Sequence, residues 1–292
     1  MDKINIFCFG FGQVAESFIN KLIHENKKFN LNITTRKESH QIEIDKLKIN
    51  SYMFDNDKYD VSLKSKLAEA NYILISVPPI NGVDIVVKNF DTDLKNLKKC
   101  KWITYLSATS VYGDHKGEWV TERSITKPTS STGTDRLNAE NLWKKLSVNN
   151  NLPLQIFRLA GIYSNESNVL KRLKLGSIQV VEKENHFFSR IHVEDIANIL
   201  FESLDNFKNN ETYNICDDKP APQTDVVAYG AKLLKLDKPN PIKLEEVESE
   251  MLKNFYKDSK KVDNKKMKTF FNYKLKFPTY VEGLMSIFNN TF

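Results

Sequence analysis

The stretch Phe9-Gly10-Phe11-Gly12-Gln13-Val14-Ala15 is the most informative part of this sequence. An apolar run over residues 4–9 precedes it, and a helix-like stretch over residues 16–24 follows it. Strand, glycine turn and helix in this order are typical of a dinucleotide-binding site, because Gly10 permits the tight turn and Gly12 lets the backbone approach a pyrophosphate. The positive end of the helix would then face the phosphates. We therefore expect residues 10–14 to bind a dinucleotide.

Apolar, strand-like segments alternate with helix-like segments through the first half of the chain. The strands are predicted at residues 31–35, 50–54, 72–77, 102–106 and 154–159, and the helices at residues 61–70, 83–98 and 132–148. Strands that alternate with helices at this spacing imply a parallel sheet covered on both faces. The predicted fold class is α/β, with a Rossmann-type doubly wound parallel sheet.

The rhythm changes beyond Gly161. Helices are predicted at residues 168–175, 193–204 and 223–234, short strands at residues 178–181, 187–191 and 212–215, and a mostly helical tail at residues 245–292. This pattern predicts a smaller C-terminal α/β lobe packed on the first. We expect residues 1–160 to form the nucleotide-binding domain and residues 161–292 the substrate-binding lobe, with one continuous domain as the alternative.

Charge and apolar patterning limit the classes of partner. The 43 Lys and Arg residues exceed the 37 Asp and Glu residues, but the lysines are scattered and no basic motif is interleaved with aromatics. We therefore expect a solvated surface and no nucleic-acid partner. No apolar run approaches the roughly 20 residues that cross a bilayer, and residues 1–4 do not resemble a signal or transit peptide, so we expect a cytoplasmic protein without a membrane partner.

The three cysteines give no indication of a metal site. Cys8, Cys100 and Cys216 are far apart and lack the paired spacing of zinc ligands or of a disulfide framework. We therefore expect no bound metal.

Two segments at predicted strand ends point to the cofactor. Thr34-Thr35-Arg36-Lys37 follows the second strand, where a site selective for NAD carries a carboxylate for the ribose hydroxyls. Arg36 can instead bind a 2′-phosphate, so Thr35 and Arg36 favour NADP, with NAD as the alternative. The alternative interpretation of this segment is an exposed Arg in a polar loop. Val77, Pro78 and Pro79 end a central strand, where ligands bind in open parallel sheets.

Several short motifs, in order, resemble those of a known family. They are Ser107-Ala108-Thr109-Ser110-Val111-Tyr112-Gly113-Asp114, then Pro128, Gly133, Arg136 and Glu140, then residues 158–163, 190–197 and 213–218. Over residues 4–236 the chain resembles the extended short-chain dehydrogenase/reductases, the group of nucleoside-diphosphate-sugar epimerases and dehydratases. The resemblance implies a nicotinamide cofactor and a small or nucleotide-linked substrate, and it places Ser107 and Arg136 at the cofactor.

The catalytic positions of that family are altered here. Its chemistry uses a Ser or Thr, a Tyr and a Lys four residues after the Tyr, and the motif register puts Ala108, Thr132 and Arg136 in those positions. A threonine hydroxyl titrates far above physiological pH, and an arginine does not shuttle protons, although it can bind ribose or phosphate oxygens. The chain therefore resembles the atypical branch that lacks the usual Tyr and Lys.

Other side chains could serve at the reaction centre. Tyr112 is a candidate acid/base, although the corresponding Tyr of the family usually packs structurally. Arg190 and His192 stand where the sugar-nucleotide enzymes often contact the substrate diphosphate, and Tyr163 follows the sixth strand, so these three are candidate substrate-binding residues. The alternatives are an Arg190 that braces backbone carbonyls and a His192 that is a satisfied, partly buried histidine.

Two functions are consistent with the sequence. The first is an NAD(P)-dependent epimerase, dehydratase or reductase with a non-standard acid/base group. Its favoured cofactor is NADP, and its substrate is a small molecule or a nucleotide-linked compound. A homodimer is compatible with this function. The second is a non-catalytic NADP-binding sensor or structural subunit, because a ligand bound only to the native state stabilises it without any reaction.

Overall fold

A computed structural model describes residues 3–44 and 47–292. Met1 and Asp2, which belong to the segment used to argue against a signal peptide, lie outside the described residues. The first half of the chain contains β1 (Ile4–Phe9), α1 (Gln13–His24), β2 (Phe29–Thr35), β3 (His40–Ile44), β4 (Leu47–Asp55), β5 (Lys58–Tyr59), α2 (Leu63–Ala68), β6 (Tyr72–Ile75), α3 (Ile85–Lys95), β7 (Trp102–Ala108), β8 (Trp119–Val120), α4 (Ser131–Asn150) and β9 (Leu154–Leu159).

The second half mixes short strands with helices. It contains β10 (Gly161–Tyr163), α5 (Val169–Lys174), β11 (Arg190–His192), α6 (Val193–Glu202), β12 (Glu211–Ile215), α7 (Gln223–Leu234), α8 (Glu250–Phe255), β13 (Lys261–Val262), α9 (Lys265–Phe271) and α10 (Tyr280–Thr291). Single 3-10 turns occur at Thr109–Tyr112 and Leu244–Glu246.

A largely parallel sheet confirms the predicted fold class. Its strands lie in the order β12-β9-β7-β6-β1-β2-β4-β3, with β5 paired to β4, which makes nine strands over the described residues. β1 pairs in parallel with β2 and β6, β2 pairs with β4, and β6 pairs with β7. The glycine turn after β1 therefore lies at the middle of the carboxyl edge, where ligands of open α/β sheets bind.

Several sequence expectations differ from the structure. β3 was not predicted; it pairs antiparallel with β4, and its exposed His40, Gln41 and Glu43 hide the apolar pattern of a strand. The strand expected at residues 178–181 contributes only an isolated bridge from Val181 to Ile242. The expected loop over residues 107–128 includes a 3-10 turn and β8, and the expected helical tail includes β13.

The described chain forms two compact units that interleave along the sequence. The first comprises residues 1–108, 134–158 and 196–213, and the second comprises residues 109–133, 159–195 and 214–292. Buried aromatic rings fill the first, with the centroids of Phe9 and Phe90 5.3 Å apart. A separate buried cluster in the second packs α5, α7 and α10 together. A substrate-binding role for residues 161–292 stays a prediction.

Candidate functional site

The glycine turn of the first unit is a tight turn that leaves its backbone open. Gly10 has φ +84°, and a side-chain carbon there would lie 3.0 Å from Val77 Cγ2. Its N–H donates to Thr34 Oγ1 at 2.8 Å, which fixes the turn on β2. At Gly12, no heavy atom lies within 4 Å of where a side-chain carbon would stand, so the backbone is open to a ligand.

Helix α1 presents its amino-terminal end at this opening. Gly12 is the N-cap residue, so no side chain caps the helix, and the Gly12 carbonyl accepts from Glu16 N at 3.0 Å. Gly12 and Gln13 are exposed, Phe11 is half-buried, and Val14 packs inward. Exposed residues at an uncapped helix start suit a phosphate group, which binds the first N–H groups and the positive end of the helix dipole.

The carboxyl end of β2 offers a cation and no carboxylate. Arg36 is exposed, and it makes no hydrogen bond or ion pair with any described residue. Thr35 Oγ1 is hydrogen-bonded to Ser51 Oγ at 3.0 Å. Ser39 Oγ donates to Asp60 Oδ2 at 2.7 Å and accepts from Met53 N at 3.0 Å. The loop is therefore anchored while the Arg36 guanidinium stays available.

A groove that the sequence reasoning missed lies at the same edge. It has a volume of about 590 Å³ and is lined by Met53, Asp57, Lys58, Tyr59, Val61 and Lys64. Met53 is the register partner of Thr35, so the groove begins beside the residue that precedes Arg36. Val61 is 78% exposed directly after the β4–β5 hairpin. The sequence carries no signal of this exposure, because it depends on how the hairpin pairs.

The segment after β6 covers the glycine turn. Ser76 N donates to the Phe9 carbonyl at 2.8 Å, and Val77 contacts Gly10 as described above. Val77 and Pro79 are half-buried, and Pro78 is exposed at the carboxyl edge. Val77 therefore lies beside the turn, and a role of Val77, Pro78 and Pro79 at the cofactor stays a prediction.

Ser107 lies inside a buried ionic network. Its hydroxyl donates to Glu140 Oε1 at 2.6 Å, and Arg158 donates to both oxygens of the same carboxylate at 3.0 and 2.7 Å. Glu140 is fully buried, and Ser107 and Arg158 are nearly so. The hydroxyl proton of Ser107 is therefore engaged by Glu140, and only the lone pairs of Ser107 Oγ are left for a ligand.

Arg136 is held at the carboxyl end of β7. Its Nη1 donates to the Leu106 carbonyl at 2.6 Å and to the Tyr105 hydroxyl oxygen at 3.3 Å. The guanidinium lies over the Tyr105 ring, 5.9 Å from its centre. Arg136 is therefore a fixed cation at the carboxyl edge of the sheet in the first unit.

Thr132 and Tyr112 have contrasting surroundings. Thr132 is exposed in the first turn of α4, with its hydroxyl 3.3 Å from Ser130 Oγ. Tyr112 is completely buried within the second unit and donates to Asn214 Oδ1 at 2.7 Å. Asn214 N in turn donates to Glu122 Oε1 at 2.8 Å. This contact favours packing for Tyr112, and its catalytic role stays a prediction.

Arg190 braces the backbone of the second unit. Its Nη1 donates to the carbonyls of Phe188 at 2.9 Å and Ala221 at 3.0 Å, and its Nη2 donates to Gln223 Oε1 at 2.7 Å. These three bonds are those expected of an Arg190 that braces backbone carbonyls. Substrate binding by Arg190 stays a prediction.

His192 and Tyr163 are buried neighbours in the second unit. His192 Nδ1 accepts from Glu194 N at 3.2 Å, and the ring packs on Phe277 with centroids 4.2 Å apart. Burial lowers the pKa of His192 to about 4, so the ring is neutral near pH 7. The Tyr163 hydroxyl faces Gly283, where an added carbon would lie 2.0 Å from it, and burial raises its pKa. Both side chains are placed for packing, and substrate binding by them stays a prediction.

Metal and membrane features are absent from the part of the chain that the structure describes. No group of three or more His, Cys, Asp or Glu side chains there could hold a metal ion. No helix in those residues is long and apolar enough to span a bilayer. Cys8 is buried in β1, and burial raises the pKa of its thiol to about 12.

Several solved structures share this fold. A functionally unknown conserved protein from Silicibacter pomeroyi is 30% identical over 99% of both chains, with a TM-score of 0.87. The chain belongs to the family of that protein. UDP-glucuronic acid 4-epimerase from Bacillus cereus, in complex with NAD, is 15% identical over 98% of both chains, with a TM-score of 0.77. The dTDP-glucose 4,6-dehydratase from Bacillus anthracis, also with NAD, is 15% identical over 98% of this chain and 96% of its own, with a TM-score of 0.76.

These neighbours confirm the resemblance at the level of fold. An epimerase and a dehydratase solved with NAD are among the structural neighbours of this chain. No protein-family model and no curated protein matches it.

Proposed function

We propose that this protein is an NADP(H)-dependent enzyme of the epimerase, dehydratase or reductase kind, with a non-standard acid/base group. The cofactor assignment is supported by the carboxyl edge of the sheet in the first unit. There an open glycine turn, an uncapped helix start and an exposed, unpaired Arg36 follow β1 and β2. The general enzyme kind is supported by the shared fold, since the epimerases and dehydratases named above were solved with NAD.

NADP is preferred to NAD for an electrostatic reason. The 2′-phosphate is the one group by which the two cofactors differ, and a guanidinium binds it through two charge-assisted hydrogen bonds. The hydroxyls of Thr34 and Thr35 are already engaged with Gly10 and Ser51, and no carboxylate ends β2 to repel the phosphate. In this proposal the groove beside Met53 and Val61 receives the adenine ring on its apolar side.

In this proposal the residues of the chain bind and orient the cofactor and the substrate and exclude water from them. The cofactor supplies the hydride chemistry when bound. Gly10, Gly12 and the start of α1 hold the pyrophosphate, Val77 and Pro78 border it, and Arg136 supplies a fixed positive charge at the end of β7. Since Ala108, Thr132 and Arg136 replace the usual catalytic groups, the proton of the substrate hydroxyl moves to a group outside that trio. The substrate is a small or nucleotide-linked carbonyl or alcohol, and the neighbours crystallised with UDP-glucuronic acid and UDP-glucose support that class.

A non-catalytic NADP-binding protein is the second candidate. The observation in its favour is the burial of Tyr112, which commits the one tyrosine of the motif to Asn214. In that case the cofactor stabilises the native state or reports the redox state, and no proton-transfer group is needed.

The test combines binding with turnover. The purified protein is titrated with NADPH, NADH and their oxidised forms by fluorescence and thermal shift, and is then incubated with carbonyl compounds and nucleotide sugars while the reduced nicotinamide absorbance is followed. Tight NADPH binding with consumption of the cofactor supports the enzyme. Tight binding without turnover across both substrate classes supports the second candidate. An absence of dinucleotide binding contradicts both.

A further inference from the structure

The carboxyl edge of the sheet carries two cations on opposite sides of the glycine turn. In the strand order β7-β6-β1-β2, Arg36 follows β2 and Arg136 is bonded to the end of β7. Neighbouring strands are about 4.8 Å apart, so the ends of β2 and β7 are separated by about 14 Å. A dinucleotide whose phosphates lie at the start of α1 and whose 2′-phosphate reaches Arg36 therefore extends its other half toward Arg136.

The guanidinium of Arg136 is oriented by the protein on one side and open on the other. Only Nη1 is engaged, with the Leu106 carbonyl and the Tyr105 hydroxyl. Nε and Nη2 make no hydrogen bond to a described residue, and no carboxylate forms an ion pair with Arg136 in this part of the chain. A half-buried guanidinium that is bonded through one nitrogen keeps its remaining donors in a fixed plane for oxygen atoms of a ligand.

Tyr105 is rigid enough to set that plane. Its side chain is fully buried, and its ring lies 6.1 Å from the Trp143 ring. Trp143 Nε1 donates to Asp84 Oδ2 at 2.8 Å, and Asp84 Oδ1 caps α3 by accepting from Val86 N and Val87 N. Burial raises the pKa of Tyr105, so its hydroxyl stays neutral and acts as an acceptor for Arg136 over the working pH range.

We propose that Tyr105 is a positioning residue for Arg136. The inference rests on the proposed function, in which Arg136 lies at the half of the dinucleotide beyond the pyrophosphate from Arg36. It gives a buried hydroxyl that touches no ligand a measurable share of cofactor affinity.

Two ligands and a mutant cycle test the assignment. NADPH contains both halves of the dinucleotide, whereas adenosine 2′,5′-bisphosphate contains only the half that would reach Arg36. We expect Tyr105→Phe to weaken NADPH about three- to tenfold and Arg136→Met to weaken it tenfold or more, with bisphosphate affinity unchanged by either. Arg36→Ala should weaken both ligands. The double variant Tyr105→Phe/Arg136→Met should bind NADPH as Arg136→Met does, because a hydroxyl that acts through Arg136 has nothing left to orient.

Controls separate orientation from a general loss of structure. Tyr72→Phe makes the same change at the opposite, amino end of the sheet, where β6 begins, and should leave both affinities unchanged. If Tyr105→Phe does not fold, Arg136→Lys carries the test with the same two ligands. A lysine ammonium keeps the charge but has no plane for Tyr105 to orient, so Arg136→Lys should lose NADPH affinity as Arg136→Met does, and NADPH affinity equal to that of the unaltered protein would overturn the positioning role.

The outcomes distinguish this inference from the proposed function. If the unaltered protein binds neither ligand, the proposed function fails. If it binds both and Tyr105→Phe weakens them equally, leaves NADPH binding unchanged, or adds its full effect to that of Arg136→Met, the positioning role of Tyr105 is wrong while the cofactor site stands.

Discussion

Arg36 in the first compact unit and Arg190 in the second have opposite surroundings. Arg36 follows β2 in an anchored loop, is exposed, and contacts no acceptor among the described residues. Arg190 begins β11 and uses three N–H bonds on two carbonyls and Gln223. The same side chain is therefore available for a ligand in one unit and bound by its own backbone in the other.

The neighbours of each arginine extend the contrast. Gly12 and the start of α1 are open beside the first, whereas His192 and Tyr163 in the second unit are packed against Phe277 and Gly283. Polar groups that are satisfied inside the protein stabilise the fold, and polar groups held at an open edge recognise ligands. We therefore expect substitutions at buried polar sites to change the free energy of unfolding, and substitutions at the open edge to change cofactor affinity.

The largest effect is expected at the buried ion pair. Arg158→Met leaves the fully buried Glu140 carboxylate without its bidentate partner, so the free energy of unfolding should fall by about 3–5 kcal/mol. Urea titration measures the loss. The exposed Arg172→Met is the matched control and should change the same quantity by less than about 0.5 kcal/mol. A similarly small change for Arg158→Met would show that this pair does not stabilise the fold.

The next effect concerns the open edge. Arg36→Asp should weaken NADPH binding by roughly 10- to 150-fold, because a charge-assisted bond is lost and a carboxylate now faces the 2′-phosphate. NADH affinity should stay the same or improve, since the new carboxylate can accept from the ribose hydroxyl. Fluorescence titration of both cofactors decides it, with Lys37→Ala as the neighbouring control. Equal losses of affinity for NADPH and NADH would show that Arg36 does not bind the 2′-phosphate.

A smaller effect depends on pH. The unfolded chain protonates His192 near pH 6.5, whereas the folded chain keeps it neutral until about pH 4, so this residue lowers stability as the pH falls between those values. His192→Asn keeps an acceptor for Glu194 N and removes the titration. Between pH 7 and pH 5 the unaltered protein should therefore lose roughly 1–2 kcal/mol more stability than the variant. Parallel losses in urea titrations at the two pH values would place a charged or solvated ring at this position.

The smallest effect is expected at Thr132. Thr132→Val removes an exposed hydroxyl that contacts only Ser130, so any measured turnover should stay within about tenfold of the unaltered protein. Steady-state rates at saturating NADPH test this, with Arg136→Met as the reference for a residue at the cofactor. A loss of several orders of magnitude would make Thr132 the acid/base group.

Local pattern determined the elements of this protein. β9 and α7 have the predicted bounds, Leu154–Leu159 and Gln223–Leu234, because a bounded apolar run and a helical apolar stripe are properties of consecutive residues. The strand, glycine turn and helix at residues 4–24 are likewise local, since the positive φ at Gly10 depends on the residue itself. The alternation of these elements was enough to predict a parallel α/β sheet.

Which polar residues are available to a ligand depends on contacts between distant parts of the chain. The sequence does not show whether Ser107 and Arg190 face solvent or protein. Their hydrogen-bond partners, Glu140 and Gln223, lie 33 residues away along the chain in each case. The strand β3 and the interleaving of the two units also depend on pairings between distant segments. Sequence periodicity records burial along one element, whereas the satisfaction of a hydrogen-bonding group depends on what the rest of the chain brings against it.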